Sequence, residues 1–185
     1  MNRCWWCKDD PIYMAYHDDV WGKPEHDDRK LFKMLVLELF QSGLSWITIL
    51  RKEENFTRAF AHWDIEAIAA FEEDDRARLL ADAGIVRNRL KIDAAIRNAR
   101  LCSSLVQEFG SLDTYFRQFT PVARDVPKGG FEKGTLPLMI DEAKAMSKDL
   151  KKRGFGFTGP MVCMSFMQAV GIINDHVKGC DLCIY

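Results

Sequence analysis

Cysteine and histidine residues near both ends of the chain have the spacing of metal ligands. They comprise two C-x-x-C pairs, each with a nearby histidine: Cys4, Cys7 and His17 at the start, and His176, Cys180 and Cys183 at the end. Thiolate and imidazole are the ligands of tetrahedral structural zinc, and four protein ligands leave no position for water. A single zinc ion would therefore join the two chain ends in a structural role.

The spacing alone leaves the ligand set open. A site of the four terminal cysteines and a mixed site of cysteine and histidine fit equally well, and free buried thiols beside unrelated histidines are the alternative to a metal. No secretory signal precedes the first cysteines, which argues against disulfides. The other two cysteines, Cys102 and Cys163, lie in apolar helical patterns and are expected in the core.

Glu38 is a carboxylate on an apolar helix face. It follows Leu31 by seven residues and Met34 by four, so it projects from the same side as both. An isolated buried charge is costly. The alternatives are a structural salt bridge, a neutral acid with a raised pKa, or a ligand that supplies donors or positive charge.

Large aromatic residues are dense near the start of the chain. Six tryptophan and tyrosine residues precede residue 47: Trp5, Trp6, Tyr13, Tyr16, Trp21 and Trp46. Most lie outside an obvious helical stripe, which favours a stacking pocket, although core packing is the commoner use of aromatic side chains. If they share a cavity with Glu38, the cavity combines electron-rich rings with one acidic group.

The elements that must position these residues are predicted to be helices throughout, in one domain over 1–185. Asp27 or Asp28 caps a helix that ends near Gly43, and a second helix carries Leu44, Ile47 and Leu50. Further helical patterns cover 56–60, 65–71, 74–84, 87–101, 112–119, 141–153 and 159–173, the last with Thr158 as its cap and Pro160 in its first turn. Glycine and proline make 120–138 one long loop.

The helices on either side of Gly84 form a candidate helix-hairpin-helix, a motif that can hold phosphate through backbone N–H groups at a helix start. Arg87, Arg89 and Lys91 lie beside it. A solvated helix face explains this cluster equally well, and it is the favoured explanation of a second basic cluster over 144–153. The net charge of −1 gives no overall attraction to nucleic acid, so only such local clusters count.

The longest apolar stretch, 161–173, is too short to cross a bilayer. We therefore expect no membrane contact. Because no secretory signal is visible, a cytoplasmic location is the default expectation. We also expect a monomer, although no sequence feature specifies the oligomeric state.

Taken together, the motifs resemble those of the bacterial 3-methyladenine DNA glycosylase I (Tag) family over almost the whole chain. The matching segments are Arg3-Cys4-x-Trp6, Asp10-Pro11-x-Tyr13-x-x-Tyr16-His17-Asp18, Trp21-Gly22-x-Pro24, Leu37-Glu38, Gln41-x-Gly43-Leu44-Ser45-Trp46, Asp82-Ala83-Gly84-Ile85, Leu150 to Phe155, Ser165 to Ala169, and Asn174-Asp175-His176-Val177-x-Gly179-Cys180. Departures include Leu39, Ser42 and Leu90, where the family pattern differs.

The resemblance implies an all-α helix-hairpin-helix DNA glycosylase fold, with two helical lobes around a cleft. It implies zinc bound by Cys4, His17, His176 and Cys180. It further implies a base pocket with Glu38 and Tyr16 as polar contacts and catalytic groups, Trp46 as the stacking partner, and Trp6, Tyr13 and Trp21 as its lining. By the same resemblance, Ser42, Gly43 and Leu44 form the wedge that fills the gap left by an extruded base. DNA contacts are expected at this wedge and at Gly84, Arg87, Arg89 and Lys91.

The expected activity is hydrolysis of the glycosidic bond of 3-methyladenine in double-stranded DNA, which yields free 3-methyladenine and leaves the strand intact. Glu38 is expected to be ionised when the base is bound. Rival interpretations are a non-catalytic DNA-binding or scaffold protein, a thiol redox protein built on the C-x-x-C pairs, and a broader or strand-cleaving glycosylase.

Overall fold

The computed structural model describes all 185 residues and contains helices without strands, as predicted. The ten α-helices are α1 (Pro11–Asp19), α2 (Asp28–Gln41), α3 (Trp46–Leu50), α4 (Glu53–Ala59), α5 (Ile65–Ala69), α6 (Glu73–Ala81), α7 (Arg89–Phe109), α8 (Leu112–Arg117), α9 (Asp141–Lys152) and α10 (Pro160–Ala169). Short 3₁₀ helices cover Trp5–Cys7 and Ala61–Trp63. None of the helices is both long enough and apolar enough to span a bilayer.

Helix α2 lies at the centre of the molecule and packs against α3, α7, α8 and α10. Asp27 begins it, because its side chain accepts a hydrogen bond from Lys30 N. Nearly every residue from Leu31 to Phe40 is buried. The predicted cap is confirmed, and the helix ends at Gln41, just before the turn at Gly43.

Helix α1 was missing from the sequence prediction. Asp10 caps it by accepting from Ile12 N and Tyr13 N, and Pro11 occupies its first position. Its buried residues are Tyr16 and His17, neighbours in sequence. No apolar stripe with helical period marks α1, because its inner side faces a cavity and a cluster of polar side chains.

Helices α6 and α7 are joined by a turn at 82–88. Lys52 Nζ donates to the carbonyls of Ala83 (3.2 Å) and Gly84 (3.1 Å), which ties the turn to the chain after α3. A Cβ at Gly84 would meet Asp82 Oδ1 at 2.9 Å, so a larger residue would displace the Asp82 carboxylate. The two-helix prediction is confirmed, but α7 extends well past 101, to Phe109, where Gly110 ends it in the left-handed conformation.

The second half of the chain follows the prediction more loosely. Residues 120–138 contain no helix or strand. Gly159 precedes α10 in place of the predicted cap Thr158, whose backbone carbonyl instead accepts from Ser147 Oγ at 2.6 Å. Helix α10 ends at Ala169, and not near 173, because Gly171 turns the chain with a φ of +65°.

The main hydrophobic core is one contiguous cluster of 42 buried residues, drawn from positions between Tyr16 and Ile173. A small second cluster of Cys4, Cys7, Val177 and Cys180 brings the two chain ends together. Between the two clusters lies the site described next.

Candidate active site

A cavity of about 390 Å³ opens between the α1–α3 segment and helix α10. This volume is within the range of small-molecule sites. Its walls are mostly aromatic or aliphatic and comprise Trp5, Trp6, Tyr13, Tyr16, Trp21, Glu38, Gln41, Trp46, Leu136, Pro137, Leu138, Met161, Met164, Ser165 and Gln168. All six aromatic residues noted in the sequence therefore lie at one site, together with Glu38.

The aromatic rings support one another by edge contacts. Trp6 packs on Trp21 with ring centroids 5.1 Å apart and on Tyr13 at 5.7 Å, both edge-to-face. Tyr16 lies 5.3 Å from Trp46. These contacts fix the orientation of the rings relative to one another, so a planar ligand would meet preformed aromatic surfaces.

Glu38 is the acidic group in the cavity wall. It is 4% exposed and takes part in none of the ion pairs of the structure. Burial raises the pKa of its carboxyl from 4.5 to about 8. A structural salt bridge for Glu38 is thus excluded. With a pKa of about 8, the carboxyl is mainly neutral at pH 7 as long as no cation lies beside it.

Tyr16 is the buried hydroxyl in the same wall. Burial, and next the proximity of Glu38, raise its pKa well above 10, so the phenol keeps its proton. It can therefore donate a hydrogen bond to a ligand.

Gln168 reaches the cavity from α10 and is held from behind. Its Nε2 donates to Asp175 Oδ2 at 2.7 Å. The side chain of Asp175 is fully buried and pairs with Arg124 Nη1 at 2.7 Å. Because a carboxylate only accepts hydrogen bonds, the orientation of the Gln168 amide is fixed and its carbonyl oxygen is left for another donor.

Behind the aromatic wall, four side chains from both chain ends converge. Cys4, His17, His176 and Cys180 are all buried, and their ligand atoms lie within 4.8 Å of one another. Cys180 Sγ is 3.5 Å from His17 Nε2 and 3.4 Å from His176 Nδ1, and Cys4 Sγ is 3.6 Å from the same His176 nitrogen. This group could hold a metal ion.

The second nitrogen of each histidine is also engaged. His17 Nδ1 lies 2.8 Å from Asp18 Oδ1, and His176 Nε2 lies 3.1 Å from the Trp21 carbonyl. Asp18 is held in turn by two nitrogens of Arg3. Such outer partners orient the imidazoles of metal sites, so the nitrogens that face the thiols are the ones directed toward a bound ion. One of them, His17 Nε2, also accepts a hydrogen bond from Cys4 N at 3.3 Å.

The remaining cysteines lie outside the group. Cys183 Sγ instead approaches the Gly129 carbonyl at 3.6 Å, and Cys7 is buried nearby without joining the four. Cys102 and Cys163 are fully buried in the core, as expected.

The predicted wedge is a turn directly after α2. Gly43 has a φ of +80°, which favours glycine, and a Cβ there would meet nothing within 4 Å. Leu44 is 37% exposed, and its carbonyl accepts from Gln41 Nε2 at 2.9 Å. Gly43 and Leu44 are exposed, and the turn lies between Glu38 and Trp46 in the sequence, so it connects two residues of the cavity wall.

The chain matches known proteins over nearly its whole length. A family model described as methyladenine glycosylase matches residues 6–184. DNA-3-methyladenine glycosylase 1 of Escherichia coli (strain K12) is 45% identical over 185 residues, which cover 100% of this chain and 97% of that protein. This chain belongs to the methyladenine glycosylase family.

Solved structures agree with this assignment. A crystal structure of 3-methyladenine DNA glycosylase I (TAG), 45% identical, has a TM-score of 0.89 and covers 97% of this chain and 98% of that one. The enzyme of that name from Staphylococcus aureus, 35% identical, has a TM-score of 0.90 over 98% and 96% of the two chains.

At the turn between α6 and α7, two of the three predicted cations are exposed. Arg87 is exposed, and the side chain of Arg89 is 70% exposed with a loose contact to Asp93 at 3.8 Å. Lys91 differs. The expectation of a surface cation was wrong there, because the residue is 6% exposed and its ammonium binds the carbonyls of Phe40 and Ser42.

Sequence reasoning missed one wall of the methyladenine glycosylase cavity. It comprises Leu136, Pro137 and Leu138 from the long loop and Met161, Met164 and Gln168 from α10. The loop residues carry no periodic signal. Ser165 and Gln168 lay within a segment used for the family resemblance, but no property of the residues alone placed them at a site.

Proposed function

We propose that this methyladenine glycosylase hydrolyses the glycosidic bond of 3-methyladenine in double-stranded DNA and releases the free base. The observation that carries the proposal is a buried carboxyl without a cationic partner, Glu38, in a cavity walled by aromatic rings. The E. coli relative is named for this activity, and the structure of another relative, 35% identical, is a complex with 3-methyladenine.

The base must leave the duplex before it can reach the cavity, at a cost of roughly a few kcal/mol in lost stacking. Leu44 has the exposure and the position to fill the vacated space, and Gly43 lets the backbone come close to the neighbouring bases. We assign the wedge to Ser42, Gly43 and Leu44.

Charge provides the selectivity in this proposal. Methylation at N3 makes the base of the nucleotide a cation, and a cation over an indole such as that of Trp46 gains about 0.5–2 kcal/mol. The cation also lowers the pKa of Glu38, so the acid that is neutral in the free cavity ionises when the base enters. Neutral adenine supplies neither effect.

The chemistry needs only modest help from the protein. The C1′–N9 bond breaks with its electron pair going to the base, which neutralises the positive charge; water then adds to C1′ and loses a proton. Glu38 and Tyr16 contact the departing base, and an ionised Glu38 also favours positive charge developing on the sugar. The cavity lining contains no lysine, which supports hydrolysis without a covalent amine intermediate and an abasic strand left intact.

We propose zinc as the metal of the Cys4, His17, His176 and Cys180 group. Tetrahedral zinc with bonds of about 2.3 Å to sulfur and 2.0–2.1 Å to nitrogen places these atoms about 3.6 Å apart. The sulfur-to-nitrogen distances of 3.4–3.6 Å match that spacing. With four protein ligands, the ion would join the chain ends and hold the aromatic wall.

DNA phosphates are proposed to bind at the start of α7. The backbone N–H groups of Arg89 and Leu90 have no acceptor within the chain, as is usual for a first helical turn. Arg87 and Arg89 add positive charge there, and Gly84 shapes the turn. Because one chain supplies every part of the site, we propose a monomer. We also propose a cytoplasmic location, since the proposed substrate is DNA.

The test is product analysis on DNA treated with a methylating agent. We expect release of 3-methyladenine alone and an intact abasic strand. Strand cleavage, or release of 7-methylguanine at a similar rate, would refute the proposed specificity; no release of any base would favour a non-catalytic DNA-binding protein.

A further inference from the structure

Lys91 is a buried cation that neither the cavity chemistry nor a phosphate contact uses. It is the third residue of α7, where the helix dipole disfavours positive charge. Its ammonium has no carboxylate partner and donates instead to Phe40 O at 2.8 Å and Ser42 O at 2.6 Å. Burial lowers its pKa. Such a costly placement calls for a compensating role.

The two carbonyls belong to the end of α2 and to the wedge turn. There, Ser42 N donates to Leu39 O and Leu44 N donates to Gln41 O, but no backbone N–H donates to Phe40 O or Ser42 O. Lys91 thus supplies the donors that the helix end lacks.

This contact lies between the two surfaces that the proposed function assigns to DNA. The first turn of α7 is the proposed phosphate contact, and Ser42 is the first residue of the wedge. The side chain of Lys91 extends from the first turn of α7 to the carbonyl of Ser42 and so connects the two surfaces directly. The distance between the wedge and a bound phosphate therefore depends on this hydrogen bond.

We infer that Lys91 is a positioning residue that fixes the wedge relative to the phosphate-binding turn. The inference rests on the proposed function. Loss of the ammonium leaves the cavity and the exposed cations in place but frees the carbonyls that hold the turn. Loss of the ammonium should therefore slow release of a base that must be extruded from a duplex, and should have little effect on a base that is already unpaired and unstacked.

The test compares one methylated strand in two forms. An oligonucleotide is methylated as a duplex, then presented either annealed or without its complement, and release of 3-methyladenine is followed with enzyme in excess. We expect Lys91→Met to lower the rate constant about tenfold or more on the duplex and less than about threefold on the single strand.

Two matched variants separate this effect from others. Arg89→Met removes an exposed cation from the same helical turn, and it should weaken DNA binding in a salt-dependent way without changing the ratio of duplex to single-strand rates. Lys52→Met removes an ammonium that holds the hairpin carbonyls but does not reach the wedge. It too should leave the ratio unchanged.

Each outcome decides. A duplex-selective loss in Lys91→Met alone supports the inference, and an unchanged ratio overturns it. If Lys91→Met does not fold, the ratio of duplex to single-strand rates is measured in Lys91→Arg. Its larger guanidinium keeps the charge but displaces the turn, so an unchanged ratio in this variant would also overturn the inference. Should the wild type release no 3-methyladenine from either form, the proposed function itself fails.

Discussion

Glu38→Gln should make the protein more stable and less active, and the gain in stability should grow with pH. In the folded protein the carboxyl has a pKa of about 8, compared with 4.5 for an ordinary glutamate. Between these pH values the folded state binds more protons than the unfolded state. The free energy of unfolding of the wild type therefore falls as pH rises from 4.5 to 8.

The magnitude follows from the same pKa values. A tenfold change in an acid's ionisation constant corresponds to about 1.4 kcal/mol. The raised pKa of Glu38 therefore destabilises the folded state relative to the unfolded state by about 1 kcal/mol at pH 5 and about 4 kcal/mol at pH 8. The glutamine variant has no such cost. The difference in stability between the two proteins should therefore change by about 3 kcal/mol over this range.

Urea unfolding of both proteins at pH 5, 6, 7 and 8 measures this difference. Every other titrating group is common to the two proteins, so its contribution cancels. Parallel stability curves for wild type and variant would refute the idea that Glu38 is held neutral by burial.

Activity should move in the opposite direction. Excision by Glu38→Gln should fall about 100-fold, because the variant keeps the shape of the side chain but cannot become an anion. For the wild type, kcat/KM should rise with pH, with its midpoint near pH 8 and a plateau at higher pH, since it reports the pKa of the free enzyme. The variant should lack this rise.

Three further perturbations have defined outcomes. Trp46→Ala should weaken binding of 3-methyladenine about 10-fold or more by calorimetry, because a stacking face is lost; unchanged affinity would remove Trp46 from the pocket. Cys180→Ser should abolish tight metal binding and lower Tm by at least about 5 °C, while Cys183→Ser should keep one metal per chain, and equal metal loss in both would redraw the ligand set. Arg124→Met should lower the free energy of unfolding, measured by urea denaturation, by about 3 kcal/mol, and adding Asp175→Asn should recover part of that loss. If the effects of the two substitutions simply add, the buried pair is not coupled.

The sequence predicted the elements with regular burial well. The central helix has apolar residues on every turn and a clear cap at Asp27, so its position follows from local rules. The position of helix α1 could not be predicted in this way, because Tyr16 faces a cavity and His17 faces the group of four potential metal ligands. Neither surface imposes the apolar period on which a helix prediction depends.

The site was predictable where residue chemistry was unusual. Glu38 stood out as a carboxylate on an apolar face, and the structure keeps it buried without a cationic partner. The choice among Cys4, Cys7 and the histidines could not come from spacing, because C-x-x-C pairs offer the same donors. It depends on how the two chain ends meet.

Lys91 shows the opposite case. It follows two exposed arginines and shares their charge, so the sequence grouped all three as phosphate contacts. Its side chain is buried only because the end of α2 lies against the start of α7, and no local pattern reports that contact.

In the proposed mechanism, a cationic purine is recognised by Trp46 together with a carboxyl that ionises on binding. Calorimetry at pH 7 with 3,9-dimethyladeninium, a permanent cation, and neutral 9-methyladenine tests it most directly, in buffers of different ionisation enthalpy. We expect the cation to bind to the wild type about tenfold tighter or more than the neutral base and to release close to one proton, whereas binding to Glu38→Gln should release none. Equal affinities, or binding of the cation without proton release, would contradict it.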